Sequence, residues 1–275
     1  MLSGYGVAYG AEHKEGYFKH FILKKVWKLL LPAYIVYAIY TVALGLLFKE
    51  AVWTDLFSLM VFFEKTNWYV WEQLAFYIIV CLAYLLLPKW TNLFVLVVSV
   101  VFVGIAYVAG MDNPYYGSTL CLPLGLYYYQ YESRLTKLFN RRFIILFLGF
   151  STLLLLGLGG FFLLGNDSVL GNPIARNVAS VSFCVTVLLL LGKFRVGGKA
   201  AGLLGRCSYE IFLVHLYVLS LLKQMDIASQ LVFSIVAIIV SLVAAIILHE
   251  VTAKIFQFQK ASAAVENQSE EKSLS

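Results

Sequence analysis

The stretch Leu204–Leu219 reads LGRCSYEIFLVHLYVL, and its reading decides the fold. Small and basic residues lead into an apolar run that carries Ser208, Tyr209, Glu210 and His215. Entered at Arg206, a helix at ~1.5 Å per residue puts His215 roughly 13 Å deep, near the middle of a ~30 Å hydrocarbon layer. An ionisable group there costs about 2.5 kcal/mol or more, so it must meet a partner or line a wet cavity. Ser208 and His215 lie seven apart, as do Glu210 and Tyr217, so each pair shares a helix face.

The rest of the chain agrees with a membrane setting. Of 275 residues, 61% are hydrophobic and only 13% charged, against about 25% charged in a soluble domain. The mean hydropathy of +0.83 exceeds what one soluble core could bury. The net charge of +6 sits in short loops, which favours membrane orientation over nucleic-acid binding. Cys81, Cys121, Cys184 and Cys207 form no CxxC pair and lie in or beside apolar runs, so we expect structural thiols, no disulfide and no metal site. Met1 is not followed by a basic region leading into a hydrophobic run, so no cleavable signal peptide is expected.

The fold class is therefore all-α: a polytopic membrane helix bundle of about eight complete spans plus a partial N-terminal helix. Leu2–Ala11 is apolar but too short to cross and resembles the last half of a helix. Spans follow at about Trp27–Phe48, Trp68–Leu87, Asn92–Gly110, Gly117–Tyr131, Phe143–Leu164, Ile174–Gly192, Cys207–Leu222 and Ser229–His249. The run Leu56–Phe63 is too short to cross. All five tryptophans fall near span ends, as interfacial anchors do. With the segment before Trp27 in the cytoplasm, alternation leaves 17 of the 21 Lys and Arg residues inside and four (Lys49, Lys65, Arg176, Lys223) outside. The positive-inside rule asks for this asymmetry. Residues 256–275 are polar and nearly free of aromatics, so we expect a disordered cytoplasmic tail.

Four constellations could carry chemistry. Ser3–Gly6 (SGYG) precedes a basic run in which Lys24, Lys25 and Lys28 recur at helical spacing, either as positive-inside charge or as a cradle for phosphate. In Thr66–Tyr77 (TNWYVWEQLAFY), Trp68 and Trp71 are belt residues or a platform for a sugar ring, and Glu72 is an acid inside a span. Tyr127, Tyr128, Tyr129 and Tyr131 read first as interfacial tyrosines. His215 is a packing histidine, a general base or a substrate-orienting group. His13, His20 and His249 lie at span ends or in loops, with no role expected.

In that order, SGYG, KK-x-x-K with Pro32, NWYVWEQLAFY and SYEIFLVH resemble the membrane acyltransferase 3 family, over roughly Leu2–His249. The resemblance implies about ten helices, with residues 1–255 as the acyltransferase-like membrane domain, N-terminally incomplete. It implies transfer of an acyl group, usually acetyl, from acyl-CoA (acetyl-CoA) as co-substrate to a cell-surface glycan or lipid-linked sugar, in a bacterial cytoplasmic membrane. Ser3, Gly4 and Tyr5 match the family's SGY, and Lys24, Lys25 and Lys28 its basic cluster, associated with the acyl-CoA face. Trp68 and Tyr69 match its W-F/Y-L pattern. Ser208, Tyr209, Ile211, Leu213 and His215 match S-Y-x-I-Y-L-x-H, with Phe212 in place of Tyr. The expected roles are His215 and Glu210 in catalysis, Lys24, Lys25 and Lys28 on acyl-CoA, and Tyr5, Trp68, Tyr69, Ser208 and Tyr209 on substrate. The family's catalytic histidine belongs to a first helix that this chain does not contain, so a partner subunit supplying missing helices is one expectation. The alternatives are a glycan-precursor transporter or flippase, against which no internal repeat is seen, and an inactive, truncated acyltransferase-like protein. Membrane lipid is an expected partner; nucleic acid is not.

Overall fold

The computed structural model describes residues 1–19, 21–48, 68–112, 115–165, 168–194, 198–225 and 229–274. Among the described residues there is no strand. The helices are α1 (Leu2–His13), α2 (Phe21–Phe48), α3 (Trp68–Leu86), α4 (Thr91–Val108), α5 (Cys121–Arg141), α6 (Phe143–Leu164), α7 (Ala175–Lys193), α8 (Lys199–Arg206), α9 (Ser208–Gln224) and α10 (Gln230–Leu274), with a π-helical turn at Leu170–Ile174 leading into α7. Each predicted span overlaps a helix. Among the described residues, six helical segments are long and apolar enough to cross a membrane: Phe21–Ala43, Tyr69–Leu86, Thr91–Val108, Phe143–Leu164, Leu170–Lys193 and Gln230–Phe258. The other two predicted spans differ for a physical reason. The helix α9 is only 17 residues long and carries Glu210 and His215. The helix α5 begins at Cys121 rather than Gly117, leaves helical geometry at Tyr131 and continues through charged residues to Arg141. The short run Leu56–Phe63 and Trp53 lie outside the described residues.

Helix ends follow local chemistry. At the end of α4, Gly110 takes φ of 68°, a conformation costly for any residue with a side chain. Its N–H donates to the Tyr107 carbonyl and Met111 N–H donates to that of Ala106, which satisfies two orphan carbonyls. Pro123 sits in the first turn of α5, where its missing N–H is no loss. The predicted disordered tail is instead helical: α10 continues to Leu274. Ala, Glu, Lys and Gln favour helix, and extending an existing helix avoids the cost of nucleation.

The chain forms two compact units. The first comprises Met1–Val26 and Trp68–Val196, the second Trp27–Asn67 and Gly197–Ser275. In the first, α1 and α5 cross so closely that a Cβ on Gly4 would strike the Leu122 carbonyl, and one on Gly125 the Met1 carbonyl. A second close crossing joins α6 to α7, where a Cβ on Gly157 would lie 2.8 Å from the Ala175 carbonyl. Small residues at such crossings let backbones gain dispersion contacts that lipid cannot supply. Gly157 is the only buried residue given by α6, and most of its Leu and Ile side chains are exposed, while Phe143 and Phe161 are half-buried against Phe194 and Arg176. That is the surface expected of a helix in lipid.

The second unit packs α9 against α10, with the Trp27–Phe48 part of α2 alongside. Tyr37, Leu213, Val214, Tyr217, Val218, Ala245 and Leu248 are buried there. Buried hydroxyls answer their own helices: Thr252 donates to the Leu248 carbonyl at 2.9 Å.

Candidate functional site

In the first unit the polar site begins with α7. Asn177 donates to the carbonyls of Tyr116 (2.8 Å) and Pro173 (2.9 Å), and its oxygen accepts from Leu120 N–H at 3.3 Å. One turn on, Ser180 donates to the Gly117 carbonyl at 2.9 Å. These bonds satisfy the backbone of the turn before α5, which lipid could not do. They also fix Thr119, which donates to Glu72 Oε1 on α3 at 2.8 Å. Both side chains are buried, Glu72 7% and Thr119 2% exposed, so the acid expected inside this span has its partner.

Beside Glu72, Gln73 Oε1 accepts from Ser3 at 2.8 Å and from Tyr69 at 3.3 Å. The SGYG and NWYVWEQ motifs therefore meet, joined by Gln73, which sequence reasoning had not singled out. Ser3, Tyr69, Glu72, Gln73 and Thr119 line a cavity of about 290 Å³. Carboxylate, amide and hydroxyl groups on an apolar wall can orient a hydroxyl-rich ligand or pass a proton. Cys121 and Cys184 also line it, with their sulfurs 3.7 Å apart. All four cysteines are free thiols.

Tyr5 lies elsewhere, donating to Glu132 at 3.0 Å within the tyrosine cluster. Tyr129 donates to Glu12 at 2.5 Å and packs edge-on against Tyr5, so the predicted interfacial tyrosines tie α1 to α5. Glu12, Tyr129 and Glu132 line a wide groove of about 1270 Å³ that also takes in Lys89, Asn92 and Lys137. Tyr17, in the link after α1, covers Gly10, and burial pushes its hydroxyl up to about 12. It therefore stays neutral. Lys25 lies 4.9 Å from the centre of the Tyr77 ring and 5.6 Å from that of Phe21, a cation on two aromatic faces. The side chains of Lys24 and Trp68 lie outside the described residues.

In the second unit, Tyr209 donates to the Leu29 carbonyl at 2.6 Å and Ser208 to the Gly205 carbonyl at 3.1 Å. Both hydroxyls hold backbone. Lys28 is exposed. His215 Nδ1 lies 2.6 Å from the Phe212 carbonyl and 3.2 Å from that of Ile211. Two acceptors require a proton on Nδ1, which leaves the lone pair of the neutral ring on Nε2. Glu210 does not meet His215. It is buried, and its Oε1 pairs with His249 Nδ1 at 3.0 Å, while Oε2 has no hydrogen-bond partner. His249, for which no role was expected, is thus the partner that Glu210 needs. Its 39-residue separation from Glu210 hid this in the sequence.

A polytopic helical bundle with an acid-bearing polar cavity in one unit and a buried carboxylate paired with an imidazole in the other defines the class of protein: a multi-pass membrane protein. The acyltransferase domain family, acyltransferase 3, matches residues 1–250, and the chain belongs to it. That family gives the chain an acyltransferase-type function. No curated protein and no solved structure matches it.

Proposed function

We propose that the protein transfers an acyl group, acetyl in the simplest case, from acyl-CoA to a hydroxyl of a cell-surface glycan or lipid-linked sugar. The family match over residues 1–250 carries this reading. The acceptor oxygen attacks the thioester carbonyl, the carbon–sulfur bond breaks, and CoA leaves as its thiol. The acceptor must lose a proton, and His215 Nε2, left unprotonated by the Nδ1 bonds, supports His215 as the base. Glu210 holds its pair with His249 and keeps α9 and α10 in place. Lys24, Lys25 and Lys28 supply cations for the phosphates of acyl-CoA. As a separate candidate site within the first unit, Tyr69, beside Gln73, Ser3 and Glu72, offers hydroxyl and ring to a sugar, with Trp68 as a further contact, whereas Tyr5 is held by Glu132 outside that cavity. Ser208 and Tyr209 serve through the backbone they hold.

The family resemblance favours a bacterial cytoplasmic membrane, and the basic loops favour their lying inside, so that acyl-CoA arrives from the cytoplasm and the acceptor sits towards the outer face. The test uses membranes carrying the full chain and radiolabelled acetyl-CoA. Label appearing in the glycan or lipid fraction, and lost with His215→Ala, is the expected result. No label above that of membranes lacking the chain would overturn the reading.

A further inference from the structure

Cys121 and Cys184 come from α5 and α7, 63 residues apart, yet their sulfurs lie 3.7 Å from each other. A disulfide needs about 2.05 Å, so the sulfurs must close by roughly 1.7 Å. Both line the cavity that holds Glu72 and Thr119, and Cys184 is only partly buried, so a small reagent entering the cavity reaches the pair. Cys121 opens α5 at the end near the predicted outer loop, the side on which disulfides persist. Asn177 and Ser180 already clamp α7 to the turn before α5, so a covalent bond there joins elements that do not have to move far.

We infer that Cys121 and Cys184 form a reversible thiol–disulfide site in the wall of this cavity, oxidised by a small dialkyl disulfide of the cystamine class. One cysteine thiolate attacks a sulfur of the oxidant and releases one thiol, leaving a mixed disulfide. The second cysteine displaces the other half as a second thiol. The two cysteines lose two electrons to the oxidant's disulfide, and their two protons end on the two released thiols. The bridge pins α5 to α7 beside Glu72 and narrows the cavity. Its effect on acyl transfer rests on the function proposed above; its formation does not.

The test uses the purified full chain in proteoliposomes, treated with cystamine, denatured and labelled with a maleimide. Two of the four thiols should be lost, a peptide containing Cys121 should be found bonded to one containing Cys184, and dithiothreitol should restore both thiols. Four labelled thiols, or separate cysteamine adducts on the two cysteines, would overturn the site. With the acyl-transfer assay, oxidation should lower the rate at least tenfold, and reduction should restore it. An unchanged rate with the bridge formed would overturn the narrowing of the cavity. No transfer by the reduced, unaltered chain would overturn the acyltransferase reading, with the bridge still decided by its peptide mass. In Cys121→Ser with Cys184→Ser, the rates with and without oxidant should be equal; inhibition that persists would assign the effect to other thiols.

Discussion

Glu210 and His249 meet at 3.0 Å across α9 and α10, with the Glu210 side chain 9% and the His249 side chain 26% exposed. One carboxylate oxygen is on the imidazole and the other has no hydrogen-bond partner. The carboxylate therefore depends on one neighbour. Replacing His249 by Ala should destabilise the protein by about 3 kcal/mol, because it strands a buried carboxylate. Glu210→Gln should cost less, since an amide needs less solvation. Thermal unfolding in detergent would show a larger fall in Tm for His249→Ala; equal Tm values would mean the pair is not stabilising.

Gly4 and Gly6 lie two residues apart on α1 with opposite surroundings. A Cβ at Gly4 meets the Leu122 carbonyl, which is backbone and cannot turn away, whereas nothing lies within 4 Å of one at Gly6. Gly4→Ala should therefore separate α1 from α5 and cost about 2 kcal/mol or more, in the range of overpacking. Gly6→Ala should be neutral or stabilise by up to ~1 kcal/mol through helix propensity. Yield and unfolding temperature of the two variants decide this, and a tolerated Gly4→Ala would contradict the close crossing.

Asn177→Ala removes three hydrogen bonds, to Tyr116, Pro173 and Leu120. Each backbone group left unsatisfied in the membrane costs about 1–3 kcal/mol. The turn before α5 should loosen and Thr119 should leave Glu72, so hydrogen exchange over residues 115–120 should rise. Unchanged protection there would show that Asn177 does not hold the turn.

His215→Ala should lower the acyl-transfer rate by a factor of roughly 10² to 10⁴, the usual range for a general base. His215→Gln should not restore it, because an amide can occupy the space but cannot take the proton. A variant within threefold of the unaltered protein would leave His215 a packing residue.

Lys25→Ala should weaken acetyl-CoA binding several-fold, with little effect on folding, since a cation over an aromatic ring contributes only about 1 kcal/mol near a surface. Equilibrium binding in nanodiscs is the measurement. Unchanged affinity would remove Lys25 from the docking face.

The sequence by itself determined that this chain is helical, that it belongs in a membrane and where most of its spans lie. These are local properties, because an apolar run and its flanking charges decide insertion without knowing their neighbours. It also marked Glu72, Glu210 and His215 as polar groups that must find partners. The partners themselves came only with the tertiary structure. Thr119 reaches Glu72 from 47 residues away, His249 reaches Glu210 from 39, and Cys184 reaches Cys121 from 63. Periodicity shows which face of a helix a residue occupies, but not which helix that face meets or at what height. Crossings such as Gly4 on Leu122 and Gly157 on Ala175 set those heights, and they arise from packing between helices that one helix's own sequence does not contain.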